Sequence, residues 1–235
     1  MVAGVYLKEK KQNKDENEIK ESFLKSAKSN CKTITKYISY PFIMKPLIFI
    51  LFVIIAPGVD TSMFYYNSNV LQMDSSQIAI TSVIGQVGSI AGQQFYRLFC
   101  YKFSFKKILF FSTLFYSLNL CLKLLITESI INKFISPVVF TYIISWIYSF
   151  VSSIHLMPIM VLACDMCPKS VEATFYSFVL ALINVGYLIS YNIGGILSLT
   201  LGITSTNFSG LNTLIIIAAV YPILSLPLLF CLIPN

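Results

Sequence analysis

The sequence predicts an all-α transmembrane protein, with a polar, basic leader over residues 1–45 and a six-span membrane domain over residues 46–235. Three observations carry this. Apolar side chains make up 56% of the 235 residues and charged ones only 11%, with a mean hydropathy of +0.76, whereas soluble domains hold roughly 45–50% and about 25%. The charge is gathered at one end: residues 1–45 contain ten of the 17 Lys and Arg and five of the ten Asp and Glu. The remainder divides into apolar runs near the ~20 residues that a helix needs to cross a hydrocarbon layer. A soluble globular domain is excluded.

The runs fall at 47–71, 76–98, 107–127, 137–163, 172–199 and 211–233. Backbone in lipid must satisfy its own N–H and C=O groups, so each run is expected to be a helix. Six alternating spans put the leader, Arg97, Lys102, Lys106, Lys107 and Lys169 on one face, against Lys123 and Lys133 on the other. Cations gather on the cytoplasmic side, so both termini are expected there. The formal charge of +7 therefore reads as membrane topology and not as nucleic-acid binding. No stretch of signal-peptide character precedes Pro46. The sequon Asn207-Phe208-Ser209 falls on the far face, too near the bilayer to expect a glycan. In the leader, Ile19, Phe23, Ala27, Cys31, Ile34 and Ile38 recur at helical spacing among lysines. That pattern fits an interfacial amphipathic helix, and equally a solvated linker.

Taken in order, the first span is interrupted at Pro57-Gly58, just before Asp60. Broken helices in transporters place freed backbone at substrate or ion sites, and an intramembrane carboxylate is by default a functional candidate. Its alternative is a structural Asp bonded to a neighbouring helix. Asp60, Phe64 and Asn67 share one helical face, with Thr61, Tyr65 and Ser68 beside it. In the second span Ser82, Gln86, Ser89, Gln93 and Tyr96 form a polar stripe, and Gly85, Gly88 and Gly92 a small-residue stripe next to it. Glutamines facing lipid would be costly, so the polar edge is expected to line a wet space. The GxxxG element from Gly88 to Gly92 is expected to pack helices. The third span carries Ser112, Tyr116, Asn119 and Lys123; the lysine is expected to snorkel to the outer surface or to pair with an anionic group.

The fourth span shows Ser145, Ser149, Ser152 and His155, then Pro158, where a bend is expected. His155, the only histidine, reads as a packing residue or as a proton carrier. The fifth presents Ser177, Asn184 and Tyr191 on one face, and the sixth, almost wholly apolar, is expected to face lipid. The pair Cys164 and Cys167 lacks the second pair that a structural zinc site requires, so no metal is expected. There is no G-x-x-x-x-G-K-S/T loop, no H-E-x-x-H and no G-x-S-x-G. An ATP-driven motor and an enzyme are thereby disfavoured, and no cofactor is called for.

Several segments in order resemble the folate-biopterin transporters. Pro57-Gly58-Val59-Asp60-Thr61-Ser62-Met63-Phe64-Tyr65 is similar to the segment that opens the second half of that family. Met157 through Ala163, followed by Cys167-Pro168-Lys169-Ser170-Val171-Glu172-Ala173-Thr174, resembles its signature without a gap; Cys164-Asp165 departs from the family's pattern. The resemblance covers residues 46–233. It implies the C-terminal six-helix half of a major-facilitator-type fold, working by alternating access on a small-molecule folate or pterin. It further implies substrate binding by Asp60, Phe64, Tyr65 and Asn184, which Gln86 and Gln93 of the polar stripe would complement; Asp60, and after it His155, are the proton-coupling candidates on the reading of the residues themselves. Pro57, Gly58, Pro158, Cys167, Pro168, Glu172 and Thr174 would be gating or structural positions. The expected partners are the lipid bilayer and either a missing N-terminal half or a second copy. A transport-incompetent half, an assembly subunit, or a carrier of another organic solute stay open.

Overall fold

The structure, a computed structural model, describes residues 33, 35–128, 135–168 and 171–232. Among them every regular element is a helix and there is no strand. The helices are α1 (Pro41–Ile54), α2 (Asp60–Asn69), α3 (Ser75–Phe95), α4 (Phe105–Leu122), α5 (Pro137–Asp165), α6 (Glu172–Thr200) and α7 (Leu211–Leu232). A π-helical turn, Tyr96–Cys100, extends α3, and a short helix, Leu124–Thr127, extends α4. Most of the leader, including nearly all of its amphipathic repeat, lies outside the described residues, as do Lys133 and Lys169.

Local chemistry explains the boundaries. Pro41 opens α1, where its missing N–H costs nothing. Pro57-Gly58 then breaks the chain, and Asp60 restarts it in the first turn of α2, where a carboxylate meets the positive end of the helix dipole. α3 begins with a capping box: the Asp74 carboxylate accepts from the Gln77 N–H at 2.8 Å, and the Gln77 side chain accepts from the Asp74 N–H at 3.2 Å. The Gln77 N–H and then the Ser76 hydroxyl hold the Asp74 carboxyl below its ordinary range. α5 runs through the buried Pro158 to Asp165 without a break.

Among the described residues, four helices are long and apolar enough to cross a membrane: α4 with its extension, α5, α6 and α7. The first expected span is instead the broken pair α1 and α2, of 14 and 10 residues. α3 has the length, 21 residues, but its serines and glutamines dilute its apolarity. Exposed Phe111, Phe115, Leu118 and Leu199 give the bundle an apolar exterior suited to lipid.

The interior has two apolar clusters on either side of the α1–α2 break. One gathers Ile50, Leu109, Ile159, Phe175 and Leu229, the other Val59, Met63, Leu120, Leu214 and Ile215. The expectation that the sixth span faces lipid is overturned. α7 buries Leu211, Leu214, Ile215, Ala218, Ala219 and Leu229; Ser117 donates to the Ala219 carbonyl, and the Tyr221 hydroxyl donates to the Phe52 carbonyl at 3.1 Å. In lipid, hydrophobicity does not distinguish a core helix from a peripheral one; small residues that let backbones approach do, and Ala218-Ala219 supply them.

The α3–α5 contact is the most extensive in the bundle. A Cβ on Gly88 would stand 2.5 Å from the Trp146 carbonyl oxygen, and one on Gly92 would meet the Phe150 carbonyl. The glycine stripe therefore packs helices, as expected, but within the chain, so its surface is not free to seat a second copy.

Candidate functional site

The site is built around the break in the first span. Gly58 N–H donates to the Ser190 carbonyl at 3.1 Å, and the Ser190 hydroxyl donates to the Ala56 carbonyl. α6 thereby satisfies backbone groups that the broken helix leaves open. Gly194 lies against the Gly58 backbone so closely that no Cβ would fit.

Directly after the break, the Asp60 carboxylate takes the Lys123 ammonium at 3.1 Å, with Asp60's side chain 53% exposed and that of Lys123 only 9%. The ammonium also stands 4.2 Å from the centre of the Tyr148 ring. The reading of Lys123 as a snorkelling residue is thus overturned: its charge turns inward because a carboxylate and an aromatic face await it there. A polar chain continues from it. The hydroxyls of Tyr148 and Tyr116 are 3.2 Å apart, the Tyr116 ring stacks on His155 with centroids 5.4 Å apart, and His155 Nδ1 lies 3.1 Å from the Ser112 hydroxyl.

Two cavities flank this chain. One, of about 280 Å³, is lined by Gly58, Asp60, Tyr148, Ser152, His155 and Tyr191. The other, of about 360 Å³, is lined by Asp60, Phe64, Asn67, Gln86, Lys123 and Tyr148. Asp60 and Tyr148 border both. The Asn67 side-chain oxygen is buried without a hydrogen-bond partner, an acceptor left over at the second cavity.

Of the sequence candidates, Pro57, Gly58, Asp60, Phe64, Gln86 and His155 therefore meet around one partition. Tyr65, Gln93 and Asn184 do not: all three are exposed and line neither cavity. Ser145 and Ser149 line the second cavity while Ser152 and His155 line the first, so the serine stripe serves both. Pro158 is buried in α5; Glu172 and Thr174 are exposed in the first turn of α6. Cys167 donates to the Ala163 carbonyl at 3.2 Å, and burial above all, helped by the nearby Cys164 and Glu172, pushes its thiol up. Tyr148 escaped the sequence reading, although it is seven residues before His155 and so two helical turns along the same face.

The BT1 family matches residues 2–235 of the chain. The chain belongs to the BT1 family. Among its curated relatives, the folate-biopterin transporter of Synechocystis sp. is 29% identical over 203 residues, 86% of this chain and 41% of that protein. Folate transporter 1 of Plasmodium falciparum is 29% identical over 219 residues, 92% of this chain and 43% of that protein. Probable folate-biopterin transporter 4 of Arabidopsis thaliana is 24% identical over 202 residues, 85% and 41% respectively. The resemblance seen in the sequence thus holds. This BT1 member spans about two-fifths of the length of these relatives. No solved structure matches it.

Proposed function

We propose that the chain is the C-terminal half of an integral membrane transporter for folates or pterins, an alternating-access carrier and not an enzyme. The observation that carries this is the Asp60–Lys123 pair at a broken helix, bordered by two cavities. Flat, amide-rich pterin rings suit the surfaces of Phe64 and Tyr148 and the edges of Asn67 and Gln86. The relatives' names support the substrate class. We assign proton coupling to Asp60, which reaches both cavities, and a wall role to His155, already engaged by Ser112 and Tyr116. Pro57-Gly58, held by Ser190 and Gly194, is the gating break, with Pro158 and the Cys167-Pro168 turn as supporting positions. Tyr65, Gln93 and Asn184 are read as facing a complementary six-helix half across a shared cavity, since exposed amides and hydroxyls at membrane depth need such a cover. Positive-inside asymmetry supports cytoplasmic termini.

The test is uptake of labelled folate and labelled biopterin into proteoliposomes, with the chain alone or with the N-terminal half of a BT1 relative, with and without an inward proton gradient. Saturable, gradient-driven uptake that disappears in Asp60→Asn is the expected result in the two-half sample. Absence of uptake in both samples, with the protein well folded, would count against transport and favour a transport-incompetent subunit.

A further inference from the structure

We propose that the apolar groove between α3, α4 and α5 seats one anionic phospholipid, an acyl chain lying along α4 and the phosphate on Lys107. The inference is independent of which solute the chain carries. The groove measures about 550 Å³, more than either cavity beside Asp60, and is walled by Phe95, Phe103, Phe111, Phe115, Phe150 and Ile154. Phe103, Phe111 and Phe115 are each more than half exposed, so the groove opens on the outer surface of the bundle. The helix rises about 12 Å between Lys107 and Phe115. That is close to the depth of one leaflet in a hydrocarbon layer about 30 Å thick.

The lining selects the occupant. Its polar side chains are Lys107, Cys100 and Ser112, and the Ser112 hydroxyl is already engaged, 3.2 Å from the Leu109 carbonyl and 3.1 Å from His155 Nδ1. Along α4 beyond Lys107 the groove therefore offers no free hydrogen-bonding side chain, which suits an alkyl chain and not a flat, amide-rich solute. Nor does it suit a complementary half of the transporter, whose assigned faces carry Tyr65, Gln93 and Asn184; none of the three lines this groove. Lys107 is exposed, and no carboxylate among the described residues pairs with it. Asp165 lines a neighbouring cavity of about 340 Å³ instead. Arg97 and Lys102 stand exposed in the segment that joins α3 to α4, so the mouth of the groove is cationic. A cation at the edge of an apolar groove matches a lipid phosphate at the hydrocarbon boundary, and it favours headgroups with net negative charge.

Native mass spectrometry of the purified full chain in detergent, titrated with dioleoyl phosphatidylglycerol or with dioleoyl phosphatidylcholine, reads the seat directly. The two lipids share their acyl chains and differ in net charge. Wild type is expected to retain one phosphatidylglycerol about fivefold more tightly than phosphatidylcholine, the scale of one lysine against an anionic headgroup. Lys107→Gln should remove that preference, whereas Lys45→Gln, at an exposed lysine of α1 that does not line the groove, should keep it. Val151→Trp, which fills the groove from α5, should weaken retention of both lipids. Equal retention of the two lipids by wild type, a preference that survives Lys107→Gln or is lost in Lys45→Gln, or unchanged retention in Val151→Trp overturns the inference. A hydroxylamine-labile acyl adduct on Cys100 in the purified chain overturns it as well, because the groove would then hold a covalent chain. The wild-type comparison and the search for the adduct stand even if a variant misfolds.

Discussion

An ammonium whose side chain is 9% exposed cannot be held in a bundle interior without a carboxylate, and here the carboxylate sits 3.1 Å away. The two partners are unequally buried, so removing them should have unequal effects. Asp60→Asn strands the buried charge and should cost about 3 kcal/mol of stability, whereas Lys123→Met strands the half-exposed one and should cost about 1 kcal/mol. Adding Lys123→Met to Asp60→Asn should recover part of the loss, because no charge then remains unpaired. Melting of the four proteins in one detergent reads all three differences, and an additive double variant would deny the pairing. His155 offers a second case. His155→Gln keeps a group able to bond Ser112, so uptake and its pH profile should stay close to wild type; a flattened profile would move the coupling role from Asp60 to His155. Much of this site was legible in the sequence, since Asp60, Phe64 and Asn67 share a face by spacing alone and His155 closes a serine stripe. Tyr148 was not, because an aromatic in an apolar helix reads as core until a cation is found over its ring. The inward turn of Lys123 was not either, because its partner lies 63 residues away and snorkelling leaves the same local pattern.

Helix pairs here are set by small residues as much as by large ones. Gly194 and Gly195 are neighbours in α6 with opposite surroundings: the first abuts the Gly58 backbone at the break, the second has nothing within 4 Å. Gly195→Ala should be neutral, or stabilising by up to about 1 kcal/mol through helix propensity. Gly194→Ala should push α6 away from the break and lower stability by about 1–3 kcal/mol, as overpacking does. Equal melting temperatures for the two variants would mean that the break is not docked on α6. The same logic separates what the sequence tells about elements from what it hides. Pro57-Gly58 announced the broken span, and the glycine stripe of α3 announced a close helix contact. The stripe could not name its partner, because a second copy and α5 demand the same spacing. The placement of α7 was hidden for a related reason: nearly every face of it is apolar, so only Ala218-Ala219, the buried Ser225 and Tyr221 mark its inward side.

For the molecule as a whole, the count of crossings decides which chemistry faces which compartment. α4 to α7 are long and apolar enough to cross, so the sides are set by whether the broken α1–α2 pair and the polar α3 do so as well. If both cross, the α6–α7 loop around Thr206 and the end of α5 at Cys164 lie on opposite sides, with the loop outside and Cys164 in the cytoplasm alongside Arg97, Lys102 and Lys107. The relation between the two labelled points depends only on α6, while their absolute sides depend on every crossing before it. Both Thr206 and Cys164 are exposed, which makes them readable with a membrane-impermeant maleimide on sealed cells. In a chain whose other cysteines are replaced by serine, Thr206→Cys should label from outside, and Cys164 should label only after the membrane is permeabilised. With all six spans crossing, reversed labelling would place both termini outside; with one of α1–α2 and α3 not crossing it would place only the C-terminus there, and labelling of both points from one side would mean that α6 does not cross.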